Sequence, residues 1–196
     1  VLQPRPRSPG DLGVVDPDDI ELAPDIFQFK SDVDESGVTN ALANQTTFDP
    51  ALANQILLFE RNDGRKQVVD GHSRVTLAKR AKAAGQENVG LPGFTLREAD
   101  GFTESDARLM GAVKNIREGR ATPVDTAKVF REVTGRDVEL SDLGLEPSSI
   151  TQIGRGLSVL SDDAFFMVIN DRVRADFASI VGRLNQDRSI DAALLD

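Results

Sequence analysis

The chain has 196 residues, 39% of them hydrophobic and 28% charged, with a formal net charge of −9. That length suffices for one well-buried domain with a helical appendage, and the acidity excludes a protein that coats nucleic acid over its whole surface, so phosphate binding must be local. Cysteine is absent and histidine occurs once, which excludes disulfides, thiolate metal sites, a cysteine nucleophile and a multi-histidine zinc site, and leaves His72 as the only residue on which a Ser-His-Asp triad could be built.

Ten phenylalanines and the aliphatic residues must supply the core, since tryptophan and tyrosine are missing. No apolar run approaches the roughly 20 residues that span a bilayer, and no signal-peptide pattern opens the chain, so a cytoplasmic protein without a membrane partner is expected. The start at Val rather than Met reads as a piece of a longer polypeptide.

In chain order, residues 1–15 are rich in Pro and Gly and read as a flexible lead-in. Ile20 to Lys30, "IELAPDIFQFK", alternates loosely around Pro24 and suits an edge strand or an extended arm. Two short apolar runs, Ile56 to Phe59 and Gln67 to Val69, flank Asn62-Asp63-Gly64 and predict a hairpin. From His72 the period changes: Val75, Ala78, Ala81 and Ala84, with Leu77, fall at helical spacing, and Gly85 supplies the stop.

A third strand is expected in "GFTLREA". Thr103-x-x-Asp106 resembles a capping box, with Asp where Glu or Gln is usual, and opens a helix striped by Leu109, Val113 and Ile116. Another helix begins at Pro123. After Gly135 no strand signal recurs, and short helices follow in "LSDLG", "PSSITQIGRGLSVL", "DDAFFMVIN" and "ADFASIVGRL", the apolar stripes of the last two reading as core. Gly135 to Glu139 is the expected boundary, giving an α+β domain over 16–135 and a helical extension over 136–196.

The stretch "QVVDGHSRVTLAKRA" places the single histidine, a glycine and an arginine where a strand gives way to a helix. Between Arg61 and Lys82 stand seven basic residues (Arg61, Arg65, Lys66, Arg74, Lys79, Arg80, Lys82) against Asp63 and Asp70. An anion at such a helix start would meet free backbone N–H groups and the positive end of the dipole, Gly71 would let the backbone come close, Arg74 could offer a bidentate fork, and His72 could add a hydrogen bond. The same residues can equally serve a tight turn, a cap and an Arg74 to Asp70 or Glu118 ion pair.

"VVDGHSRVTLAKRA" resembles the Gly-x-x-Arg-x-x-x-Ala box of the ParB/sulfiredoxin-like superfamily, and "KNIREGRATPVDTA" resembles its second box, with Asn115, Ile116, Pro123 and Ala127 on the family's positions. "PDIFQFK" is similar to a weakened first box, with Gln28 and Lys30 as its polar and basic members. The phrases "DGHSR", "LREADG" and "VKNIREG" look like the DdrB-like ParB domains of large phage and mobile-element proteins. The resemblance implies a small mixed sheet with helices, then a shortened helix-turn-helix region. It also implies a nucleoside triphosphate, CTP or ATP, held by Gly71, His72, Ser73, Arg74, Lys114, Asn115 and Arg117, with Gln28 and Lys30.

The chain departs from the family where Lys114 replaces a Glu that helps hold magnesium, and His72 and Ser73 replace a Glu-Arg pair. An ammonium group has no acceptor for a metal, so magnesium-dependent CTP hydrolysis is not expected, and no metal site is read. In the helix-turn-helix reading Gly144 lies in the turn, and Ser148, Ser149, Thr151, Gln152 and Arg155 face outward from a helix starting at Pro147, available to DNA. Gly154 and Gly156 would each cost that helix about 1 kcal/mol relative to Ala, only one arginine faces out and "SDDAFF" is acidic, so the region is expected to keep the shape of a DNA-binding module while packing on the first domain or on a partner.

The resulting expectation is a nucleotide- or DNA-phosphate-binding module of a larger phage or mobile-element DNA-processing protein, with nucleic acid, met directly or through the parent polypeptide, and a second copy of the chain as candidate partners. The alternatives are a nuclease or NTP hydrolase working through Asp70 and Glu118, and an interaction scaffold that binds no ligand.

Overall fold

The computed structural model describes residues 11–27, 47–133 and 143–184. The chain divides into two compact units between Gly111 and Ala112; the boundary expected at Gly135 to Glu139 lies outside the described residues.

The N-terminal unit is built on a mixed sheet of five strands in the order β1-β5-β3-β4-β2. The strands are β1 (Asp11–Val15), β2 (Ile20–Glu21), β3 (Ile56–Glu60), β4 (Lys66–Asp70) and β5 (Leu91–Arg97). β3 and β4 form the expected antiparallel hairpin. Gly64 sits at φ 86° in its turn, and the Gly64 N–H donates to the Arg61 carbonyl at 2.9 Å. β5 runs parallel to β3, β1 closes one edge antiparallel to β5, and β2 closes the other parallel to β4.

Two sequence expectations change here. Residues 11–15 are not lead-in but strand β1, because Asp11 to Val15 register against Thr95 to Leu91. Ile20 to Lys30 is not one extended arm: Ile20–Glu21 is an edge strand, and Pro24–Phe27 turns into the short helix α1, with Pro in the first turn, where its missing N–H costs nothing.

β3 is apolar on both faces because both are covered. Ile56 and Leu58 point to one side, with Val68, Leu91 and the Val75, Ala78 and Ala81 stripe of α2 (His72–Ala83). Leu57 and Phe59 point to the other, with Val69, Leu96, Phe27, Phe102 and Ala107. Ile56, Leu58 and Phe59 are fully buried, each worth about 1.5–3 kcal/mol against exposure.

α3 (Glu104–Arg117) opens on the expected box: Asp106 N–H donates to Thr103 Oγ1 at 3.1 Å, and Thr103 N–H to Asp106 Oδ2 at 3.0 Å. Its Gly111 faces β4, where a Cβ would come within 2.7 Å of Val69 Cγ1. Arg108 ties α3 to α1 by donating to the Ile26 carbonyl at 2.8 Å.

The C-terminal unit contains α4 (Pro123–Val133), α5 (Ser149–Ser158), α6 (Asp162–Ile169) and α7 (Ala175–Leu184). α4 starts on a second Thr-Asp box, Thr122 with Asp125. The core gathers Ala127, Leu157, Leu160, Ala164, Phe165, Val168 and Ala178. The two glycines of α5 are what this packing requires: a Cβ on Gly154 would lie 2.7 Å from Thr126 Cγ2 of α4, and one on Gly156 would overlap the Ser179 carbonyl of α7. Their unfavourable helix propensity is offset by close approach of neighbouring backbones.

Only one side of each late apolar stripe is core. Phe165 and Val168 are buried, whereas Phe166, Ile169, Phe177, Ile180 and Leu184 are exposed. Helical period puts adjacent apolar residues on different faces, so "FFMVI" cannot bury all its members against one neighbour. Among the described residues, no helix is long and apolar enough to cross a membrane.

Candidate functional site

Gly71, His72, Ser73 and Arg74 come together at the start of α2. Gly71 is the N-cap at φ 107°, ψ 23°, in the left-handed region, and as a glycine it has no side chain of its own with which to cap the helix. A Cβ at Gly71 would also approach Ile56 Cγ2 to 2.6 Å, so both backbone angle and packing demand glycine there. His72 is buried at 3% exposure, and Ser73 is half-buried.

Arg74 is committed within this unit. Its Nη1 donates to the carbonyls of Asn54 at 2.6 Å and Gln55 at 2.8 Å, and its Nη2 to Asp70 Oδ2 at 3.1 Å. The side chains of Arg74 and Asp70 are only 16% and 7% exposed. One guanidinium thus fastens the segment before β3 and the end of β4 to the first turn of α2. Pulling it away to meet an anion would strand a nearly buried carboxylate, which costs several kcal/mol.

The basic excess around this turn is largely met by acids from elsewhere in the unit. Arg61 pairs with Glu104. Arg65 lies 2.7 Å from Asp63 and 3.9 Å from Glu21, and Lys82 lies 2.6 Å from Asp16 and 2.7 Å from Asp18. The Lys82 ammonium, bonding Asp16 Oδ1 and Oδ2, holds that carboxyl below the ordinary value, helped by the Asp18 N–H. Lys82 is raised in return by its bonds to Asp16 and Asp18.

Lys114, Asn115 and Arg117 share the end of α3 in the C-terminal unit. Lys114 Nζ lies 3.2 Å from Glu118, which also meets Arg120 at 3.2 Å. Arg117 reaches into the segment before α5: its Nε donates to the Gly144 carbonyl at 2.8 Å and its Nη2 to the Leu143 carbonyl at 3.3 Å. Gln28 and Lys30 lie outside the described residues.

These residues do not fit a magnesium site. Lys114 offers no lone pair, Asp70 and Glu118 are each engaged by cations, and no cluster of three or more His, Asp or Glu side chains suited to a metal occurs among the described residues.

On α5, Ser148, Ser149, Gln152 and Arg155 are exposed and share one face. Thr151 is not with them. It is 2% exposed, because it is the third residue of a reciprocal capping box: Ser148 N–H donates to Thr151 Oγ1 at 2.7 Å, and Thr151 N–H to Ser148 Oγ at 3.2 Å. Ser148 followed three residues on by Thr is a cap signal that the outward-facing reading passed over. The turn itself carries Gly144 at φ 60° between buried Leu143 and Leu145, 7% and 4% exposed.

No family model and no curated protein matches the chain. Among solved structures, the C-terminally truncated chromosome-partitioning protein ParB from Caulobacter crescentus, complexed to the centromeric parS site, aligns with a TM-score of 0.56. The alignment has 15% identity and covers 93% of this chain and 89% of that one. The fold is ParB-like. The same protein complexed with CTP-gamma-S aligns at a TM-score of 0.41 and 15% identity, over 95% of this chain and 100% of that one. The alignment to the parS-bound ParB spans the mixed sheet and the helical C-terminal part alike.

Proposed function

We propose that the chain is a ParB-like DNA-binding module of a larger DNA-processing protein, of the kind carried by phages and mobile elements, with α5 as its reading helix in a shortened helix-turn-helix. The observation that carries this is the division of α5 into two faces. Gly154, Gly156 and Leu157 bury one side, and Ser148, Ser149, Gln152 and Arg155 present hydroxyl, amide and guanidinium groups from the other, beginning at the N-terminal end. Such groups hydrogen-bond base edges and phosphates, and a helix N-terminus favours phosphate. The ParB of similar fold is bound to parS DNA, which supports the same class of partner here.

Selection from a pool of random-sequence DNA duplexes tests the proposal. The protein should enrich a subset of sequences. Gln152→Ala should relax the preference at its base by about 1–3 kcal/mol. Arg155→Ala, if its contact is to phosphate, should reduce the slope of log affinity against log salt by about 0.9. No enrichment over the starting pool would sink the reading.

The left-handed glycine start of α2, at the positive end of the helix dipole, supports a second ligand, a nucleoside triphosphate such as CTP or ATP, with its phosphates at the turn from Gly71 to Arg74. Arg74 would then shape the turn rather than give up its Asp70 pair. Titration of both nucleotides with and without magnesium tests this. Binding unchanged by magnesium is the expected result, and no saturable binding in either condition removes the nucleotide from the proposal.

A further inference from the structure

We infer that Arg117 is a positioning residue that sets the turn before α5 and thereby the presentation of the DNA-reading face; this inference rests on the DNA-binding reading above. Arg117 ends α3, so its guanidinium extends from a helix terminus whose dipole favours a cation. It spans to two successive carbonyls, those of Leu143 and Gly144. A planar fork can hold both at once, whereas an ammonium is a point donor.

The turn is shaped to receive it. Gly144 is at φ 60°, and a Cβ there would overlap Arg117 Nη2. Leu143 and Leu145 on either side are buried, and the Ser148–Thr151 box fixes the first turn of α5. Thr151 Oγ1 also donates to the Glu146 carbonyl at 3.2 Å. The stretch from Leu143 to Thr151 is thus tied at both ends, by Arg117 at its start and by the capping box at its finish. The second-box arginine that the sequence offers as a phosphate ligand is instead built into this link.

Positioning and direct phosphate contact separate in a salt titration of the duplex enriched above. Arg117→Ala should weaken binding about tenfold, the equivalent of one charge-assisted hydrogen bond, with the salt slope unchanged, and Arg117→Lys should recover only part of the loss. A slope reduced by about 0.9 would instead mark Arg117 as a phosphate contact and overturn the inference; so would undiminished affinity.

Amide hydrogen exchange gives a reading that needs no DNA. Protection from Leu145 to Thr151 should fall in Arg117→Ala and be recovered in part by Arg117→Lys, while α6 and α7 stay as in the wild type. Unchanged protection refutes the Arg117 tie whether or not DNA binds. If the wild type enriches no duplex but the exchange result holds, the DNA reading fails and the tie stands as a structural one.

Discussion

Arg74→Ala is the substitution on which a phosphate-binding reading of the α2 turn would ordinarily be judged, and its first effect should be on folding. The change removes the 3.1 Å pair with Asp70 and the donors to the Asn54 and Gln55 carbonyls, leaving a carboxylate that is only 7% exposed without its cation. Breaking a buried pair from one side costs about 3–5 kcal/mol, a large share of a typical domain stability of about 5–15 kcal/mol. Asp70→Asn combined with Arg74→Ala should recover part of that loss, since the stranded charge goes too, with a coupling of about 1–3 kcal/mol. Urea denaturation followed by far-ultraviolet circular dichroism is the assay, because the chain has no Trp or Tyr to report by fluorescence. If Arg74→Ala unfolds within about 1 kcal/mol of the wild type, the guanidinium is not committed to this knot and is available to an anion. Nucleotide binding lost in that variant counts as a lost ligand contact only where the variant is still folded.

Gly156→Ala should destabilise the C-terminal unit by about 1–3 kcal/mol even though Ala is the better helix former by about 1 kcal/mol, because its Cβ meets the rigid Ser179 carbonyl. A raised melting temperature would show that α7 retreats freely. Thr122→Ala should cost about 1 kcal/mol by removing the cap to the Asp125 N–H at 3.1 Å, read in the same denaturation assay; an unchanged midpoint would discount the cap. Lys82→Ala should return the Asp16 carboxyl towards its ordinary value in a carbon-detected NMR titration. Since Asp16 is depressed in the folded state, its contribution is present above the unfolded carboxylate pKa and is lost as pH falls through the folded value. The variant should therefore show a slightly flatter acid limb, small because both groups are exposed.

What the sequence shows well is what short-range physics decides. The Asn62-Asp63-Gly64 hairpin, the Thr103-Asp106 box, the α2 stripe and its Gly85 stop all depend on residues within a few positions of one another, and each is formed. The α2 turn was equally visible as an arrangement, since Gly71 takes the positive φ that a strand-to-helix junction needs. What the sequence shows poorly is which partner a cation chooses. The excess of charge between Arg61 and Lys82 looks like a patch until Glu104, Glu21, Asp16 and Asp18 are brought beside it by the fold.

Arg117 makes the same point from the other direction. Its neighbours in sequence suggest a ligand contact, but its donors go to carbonyls 26 and 27 residues away, and carbonyls carry no residue identity that a pattern could reveal. One local sign did exist: a glycine between two leucines, Leu143-Gly144-Leu145, ahead of a Ser-x-x-Thr cap. A left-handed residue there turns the chain and also clears the space that a long side chain can enter. The glycines of α5 follow the same logic, being poor choices for an isolated helix and necessary ones where Thr126 and Ser179 press against it. Where a residue contradicts local propensity in this chain, its explanation lies in a distant element, and that is where the candidate functional surface is held in place.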